Sequence, residues 1–463
     1  MSSEVKAIPT CHVVAMTYPG RGHINPMVDL CTHLVAASSG ELLITLVLTE
    51  EWLGLIGSKQ EPDSLAVPSP NIRFRSIPNV VPSELKRADD YSGFIRAIYT
   101  KMEDPFDRLL DQLEPPVTCI IADLFLPWMP AVGKRRNIPV ALLFTMAPSL
   151  FSCYYHFDLL AAHRHSFLDD LSERGEEVID YIPGISMRLA NSPFFNLTER
   201  DIIINKLLLE AFPFVKDAQA LLFSCFYDLE ANVLNALRDT LPIPIYALGP
   251  SIPYLSLRNK TLETSHGAYQ DWLDKQPEAS VLYISLGSFG SKSKEQVHEL
   301  LMGLNESGHR YFWAARSEAL NLQQNANEKG LIVPWCDQLR ILCHSSVGAY
   351  LSNCGWNSTL EGIYAGVPML AYPQFAEQPY NSKLIAEVWK NGLNLKRNVG
   401  TQNTVGRDEI ARAIKRIMDL NGEEGKGLRT RAKELQEACR TAIDAGGSTA
   451  TNHADFLGKF CAI

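Results

Sequence analysis

The chain has 463 residues, 46% of them hydrophobic and 21% charged, with a formal net charge of −9 at pH 7. That length predicts two or three domains with large cores, and the composition excludes a disordered or collagen-like chain. The acidic balance argues against a nucleic-acid or anionic-lipid surface, which require a basic face. The first ten residues hold no apolar leader core. No apolar run reaches the roughly 20 residues of a membrane span. The ten cysteines form no C-x-x-C pair, as expected of reduced thiols in a cytoplasmic protein. The sequon at Asn196 is read as chance.

In chain order, Cys11–Met16 is a predicted strand running into Tyr18-Pro19-Gly20-Arg21-Gly22-His23. A helix follows over Ile24–Val35, with Met27, Leu30, Cys31 and Leu34 on one face. Further strands are predicted at 42–48, 72–77, 117–123, 140–144 and 221–224. Their continuous apolar character suits parallel strands covered on both faces. A Gly/Pro-rich and then polar stretch at 249–268 marks a domain boundary. The pattern restarts with strands at 280–285, 311–315, 330–333, 347–351 and 369–372. Charged helices over 406–442 and a terminal helix over 448–460 close the chain. Strands alternating with helices predict an α/β architecture of two Rossmann-like, doubly wound domains facing a cleft, with ligands at the carboxyl ends of the strands.

His23 lies at a strand-to-helix turn between glycines that admit a ligand to the backbone, and histidine is the usual general base near neutral pH. Asp123 ends a strand at the same predicted sheet edge, where a carboxylate can orient and stabilise the imidazole. At this level His23 can equally be a capping or packing residue, and Asp123 an N-cap. Gly20-x-Gly22-x-x-Asn25 does not match a dinucleotide fingerprint. No G-x-S-x-G, P-loop or H-E-x-x-H motif is present, so hydrolase and metal sites have no support. The densest segment is 335–381. Trp335 can stack a flat base. Gly355 to Ser358 opens a helix after a strand, so free N–H groups there can hold phosphate. Asn357 and Ser358 add side-chain donors, Glu361 suits ribose hydroxyls, and Glu377-Gln378 suits the hydroxyls of a sugar.

This segment resembles the signature box of plant family 1 UDP-sugar-dependent glycosyltransferases: Trp335-Cys336-x-Gln338, Cys354-Gly355-Trp356-Asn357-Ser358, Glu361-Gly362, Gly366-Val367-Pro368 and Glu377-Gln378. Pro19-Gly20-Arg21-Gly22-His23 resembles the same family. The resemblance implies a GT-B fold with an acceptor-binding domain over 1–250, a linker over 251–268, a UDP-sugar-binding domain over 269–440, and a terminal helix (441–463) returning to the first domain. It implies that His23 deprotonates an acceptor hydroxyl, that Asp123 stabilises the imidazolium, and that attack opposite UDP inverts the anomeric carbon. Trp335 would stack uracil, with Cys336 and Gln338 at its edge or the ribose and Glu361 on the ribose. Ser288, Asn353, Gly355, Trp356, Asn357 and Ser358 would lie along the diphosphate. Thr145, Glu377 and Gln378 would lie near the sugar. No metal and no resident cofactor is expected; the co-substrate is a UDP-sugar, with UDP-glucose the expected donor. The acceptor would be a small plant-type specialised metabolite, offering a hydroxyl or carboxyl to a cytoplasmic monomer. Two positions depart from the family pattern. Asn353 replaces a histidine that donates to the diphosphate, which weakens one charge-assisted bond by on the order of 1–2 kcal/mol. Ala376 replaces a tryptophan beside the sugar. The alternative they motivate is a repurposed GT-B scaffold, either a binder or a His23-dependent enzyme that uses no sugar donor.

Overall fold

The computed structural model describes residues 11–38, 40–57, 69–84, 87, 89–195, 197–258, 268–287, 293–315, 323, 327–395 and 404–462. They divide into two compact units. The first takes its residues from 1–190, 197–252 and 441–463, and the second from 191–196 and 253–440.

In the first unit, β1 (Cys11–Met16), β2 (Leu42–Thr49), β3 (Ile72–Ile77), β4 (Cys119–Asp123) and β5 (Val140–Phe144) form a parallel sheet. A short antiparallel hairpin, β6 (Val178–Ile179) with β7 (Met187–Arg188), stands apart from it. β8 (Ala220–Phe223) and β9 (Ile245–Ala247) complete the sheet in the order β3-β2-β1-β4-β5-β8-β9. Its strands are aliphatic because helices cover both faces, and β1, β4, β5 and β8 are buried throughout. The chain builds outward from β1 in one direction and then from β4 in the other. The carboxyl ends of β1 and β4 therefore flank a topological switch point, where open α/β sheets bind ligands.

The second unit repeats the plan. β10 (Val281–Ser285), β11 (Arg310–Ala314), β12 (Gly330–Val333), β13 (Val347–Ser352), β14 (Met369–Ala371) and β15 (Gly392–Asn394) are all parallel, in the order β12-β11-β10-β13-β14-β15. Its switch point lies between β10 and β13.

Helix α1 (Arg21–Ala37) begins three residues before the expected start, because Gly20 C=O accepts from both the His23 and the Ile24 N–H at 2.9 Å. His23 thus sits in the first helical turn, just beyond β1. Helix α2 (Trp356–Ala365) follows β13 with Gly355 as its N-cap. The terminal helix α3 (Ser448–Phe460) packs on α1 and β9. Thr449 Oγ1 donates to Gly249 O at 2.6 Å, Asn452 Nδ2 donates to Ala247 O at 3.0 Å, and His453 Nε2 bonds Leu248 O at 2.9 Å. Phe456, Leu457 and Cys461 join the core under β1.

Sequence reasoning did not anticipate the helices Tyr91–Lys101 and Glu103–Leu110, the β6–β7 hairpin, or the three-residue strands β9 and β15. Segments of two or three residues carry no measurable period. Thr198, read only as part of a sequon, caps helix Glu199–Leu209 in a capping box with Asp201. Asn196 and residues 259–267 of the expected linker lie outside the described residues.

Candidate functional site

Each unit carries one constellation at its switch point. In the first, Asp123 Oδ2 lies 2.7 Å from His23 Nδ1. The two residues are 100 positions apart, and pairing of Met16 with Ala122 brings them together. Asp123 is buried, and its other oxygen accepts the Phe125 N–H at 3.0 Å. The carboxylate is therefore held from both sides. Thr145, one residue past β5, places Oγ1 3.1 Å from the same Nδ1. With Nδ1 carrying the proton toward Asp123, Nε2 is the basic nitrogen. It makes no hydrogen bond among the described residues. The ring is walled by Tyr18, centroid to centroid 4.7 Å, and Phe125 at 6.1 Å.

In the second unit, Gln338 is the hub. Its Oε1 accepts from Tyr283 at 3.1 Å and Tyr350 at 3.3 Å. Burial pushes both phenols up, so both stay protonated donors. That fixes the amide: Oε1 faces the two tyrosines, and Nε2 donates to Ser358 Oγ at 3.1 Å and Glu361 Oε2 at 2.5 Å. Cys336 Sγ sits 3.4 Å from the Tyr283 hydroxyl. Trp335, two residues beyond β12, is half-buried. Six residues expected around a nucleotide (Trp335, Cys336, Gln338, Asn357, Ser358 and Glu361) thus lie on the β12 exit and the first turns of α2. Gly355, the N-cap of α2, has no side chain to cap the helix, a common setting for phosphate at a helix N-terminus.

Asn353, just past β13, is buried against Gly287. A Cβ on Gly287 would stand 2.4 Å from Asn353 Nδ2, and its φ of +80° is one that glycine adopts without strain. Gly287 therefore makes the room Asn353 occupies. Among the described residues the Asn353 side chain makes no hydrogen bond. Gln378 Oε1 accepts from the N–H groups of Gln374 at 2.9 Å and Phe375 at 3.4 Å. Its acceptor is spent on the loop, and its Nε2 makes no hydrogen bond among the described residues. Glu377 precedes it as the N-cap of a short helix. Ser288 lies outside the described residues. Sequence reasoning missed Tyr283 and Tyr350; their signal was a tyrosine inside each of two otherwise apolar strands that flank the switch point. Among the described residues no group of three or more His, Cys, Asp or Glu side chains is placed to hold a metal, and no helix is long and apolar enough to cross a membrane.

Comparison with known proteins agrees with this layout. Residues 259–423 match the UDP-glucoronosyl and UDP-glucosyl transferase family. UDP-glycosyltransferase 87A2 of Arabidopsis thaliana is 46% identical over 453 residues, covering 96% of each chain. The crystal structure of Os79 from O. sativa in complex with U2F and trichothecene matches with a TM-score of 0.81 at 27% identity, covering 97% of this chain and 100% of that one. Phytolacca americana UGT2, complexed with UDP-2fluoro-glucose and pterostilbene, matches with a TM-score of 0.78 at 27% identity, covering 97% and 99%. Two parallel, doubly wound domains with these likenesses define a GT-B glycosyltransferase. The chain belongs to the UDP-glycosyltransferase family and is a UDP-sugar-dependent enzyme.

Proposed function

We propose that the enzyme transfers glucose from UDP-glucose to a hydroxyl of a small specialised metabolite, inverting the anomeric carbon. The observation that carries this reading is the His23 Nδ1–Asp123 bond of 2.7 Å, which leaves Nε2 as the base. Nε2 takes the hydroxyl proton as the oxygen bonds to the anomeric carbon. The bond from that carbon to UDP breaks, and UDP leaves with the electron pair. Asp123 offsets the charge of the imidazolium, which then returns its proton to solvent. The first unit is the acceptor domain in this reading, and the second is the donor domain. There Trp335 stacks uracil, with Cys336 and Gln338 beside it, and Glu361 holds the ribose. The α2 N-terminus, with Gly355, Trp356, Asn357, Ser358 and Ser288, holds the diphosphate. Thr145, Glu377 and Gln378 serve the sugar. The printed ligands of the two solved relatives, trichothecene and pterostilbene, support a small-molecule acceptor. All ten cysteines are free thiols and nine are buried, which supports a cytoplasmic site of action. A monomer accounts for the chemistry.

Calorimetric titration of UDP and UDP-glucose into wild type and Trp335→Ala tests the donor half. We expect micromolar-range binding by wild type that is lost in the variant. Absence of UDP binding by wild type would refute the reading and favour the repurposed scaffold that Asn353 and Ala376 bring to mind. A second titration follows from Asn353. A histidine there adds a cationic donor toward the diphosphate, so Asn353→His should bind UDP roughly tenfold more tightly. Equal affinity would place residue 353 outside the diphosphate site.

A further inference from the structure

The Gln338 amide has its whole hydrogen-bonding capacity filled inside the protein. The residue opens the helix Gln338–Leu342, shortly after β12. An amide offers two acceptor positions and two donor hydrogens. Tyr283 and Tyr350 fill the acceptor positions, at 3.1 and 3.3 Å. Ser358 Oγ and Glu361 Oε2 take the two hydrogens, at 3.1 and 2.5 Å. The Ser352 and Ser358 hydroxyls also hydrogen-bond the Tyr350 hydroxyl. Gln338, Ser358 and Tyr350 therefore close a ring of hydrogen bonds whose members polarise one another. The two tyrosines on the acceptor side are 1% and 0% exposed, with ring centroids 5.2 Å apart. In this arrangement Gln338 has no group left over, so its effect on a bound nucleotide passes through Ser358 and Glu361.

We propose that Tyr283 and Tyr350 are positioning residues for the ribose: by occupying the Gln338 oxygen they turn its NH2 group onto Glu361, and so aim that carboxylate at the ribose hydroxyls. This rests on Glu361 holding the ribose. The argument turns on the orientation the phenols forbid. A flipped amide would set Oε1 against Glu361 Oε2, two acceptors with no proton between them. It would also withdraw the acceptor of two buried O–H groups, which is costly. A carboxylate bonded on one side by a fixed N–H presents its remaining acceptor positions in one direction, so less orientational freedom is lost when a hydroxyl binds there. Phenylalanine at both positions keeps the stacked rings and removes only the two O–H groups that set the amide.

The test is a thermodynamic cycle by calorimetry. UDP, 2′-deoxy-UDP and 3′-deoxy-UDP are titrated into wild type, Tyr283→Phe, Tyr350→Phe and the double variant, with the folded state of each checked by thermal unfolding. Wild type should bind UDP roughly tenfold or more tightly than at least one deoxy analogue, the worth of one hydrogen bond to a carboxylate. The double variant should lose about tenfold in UDP affinity and less than about twofold for that analogue, so that the ratio falls toward one. Each single variant keeps one phenol on Oε1 and should lose part of the ratio, which decides the question if the double variant unfolds. In turnover, KM for UDP-glucose should rise while kcat stays within about threefold, because the ribose is held alike in ground and transition states. Equal losses for UDP and both analogues would show that the phenols only pack their strands, and would overturn the proposal. So would unchanged ratios in every variant. A wild type that binds UDP and both analogues equally removes Glu361 from the ribose, and the proposal with it. A wild type that binds none of the three overturns the transferase reading beneath both.

Discussion

Alanine at position 23 should lower the rate of transfer to a hydroxyl acceptor by about 10²- to 10⁴-fold, the usual contribution of a positioned general base. The size of the effect follows from how completely the imidazole is prepared. Asp123 fixes Nδ1 at 2.7 Å and is itself fixed by the Phe125 N–H at 3.0 Å. Little of the orientation therefore remains to be found when the acceptor arrives. Alanine removes the proton acceptor, while the residues assigned to UDP lie on the other unit. UDP affinity by calorimetry should stay within about twofold, and kcat should fall. A drop of less than tenfold would remove His23 from the chemistry. It would also be the result if the acceptor offered a carboxylate as nucleophile, since that group has no proton to lose at neutral pH.

Much of this site was legible in the sequence because its parts are local. The Gly20–His23 turn sits on one strand-to-helix passage, and the run from Trp335 to Glu361 on two consecutive ones, β12 into the helix Gln338–Leu342 and β13 into α2, where chemistry and spacing can be judged together. The His23–Asp123 contact was only half legible. Both residues end strands, but their meeting depends on β4 inserting beside β1 rather than beside β3, and strand order leaves no trace in periodicity. The same reason hid Tyr283 and Tyr350, which are neighbours because β10 pairs with β13, a strand far along the chain. The long helices and buried strands were readable from apolar spacing, whereas β9, β15 and the β6–β7 hairpin are too short to show a period.

The fold should be sensitive to mild acid through two histidines that no catalytic argument uses. His33 on α1 and His453 on α3 are 3% and 5% exposed, with ring centroids 6.2 Å apart. Burial is the main cause that holds His33 down to about 3. The neighbouring His453 adds to it, and a backbone hydrogen bond to Ile252 works the other way. Burial likewise holds His453 down to about 4, against its bond to Leu248 O. Both values lie below the 6.5 of the unfolded chain. Between pH 6.5 and about 3–4 the unfolded chain binds protons that the folded one does not. Stability is therefore full above pH 6.5 and falls as the pH drops through that window. At pH 5 each histidine costs about 2 kcal/mol, and the pair about 4 kcal/mol, against a typical net stability of about 5–15 kcal/mol. The loss should fall first on α3, whose polar anchorage is the row of bonds from Thr449, Asn452 and His453 to the carbonyls of Gly249, Ala247 and Leu248. Denaturant unfolding at pH 7 and pH 5 measures it, with proteolysis of the C-terminal segment reporting where opening begins. His453→Gln keeps a donor for Leu248 O but cannot titrate, so it should lose about half of the pH dependence. Identical pH dependence in variant and wild type would show that α3 is held by its apolar face, Phe456 and Leu457, and that the histidine pair has no part in acid sensitivity.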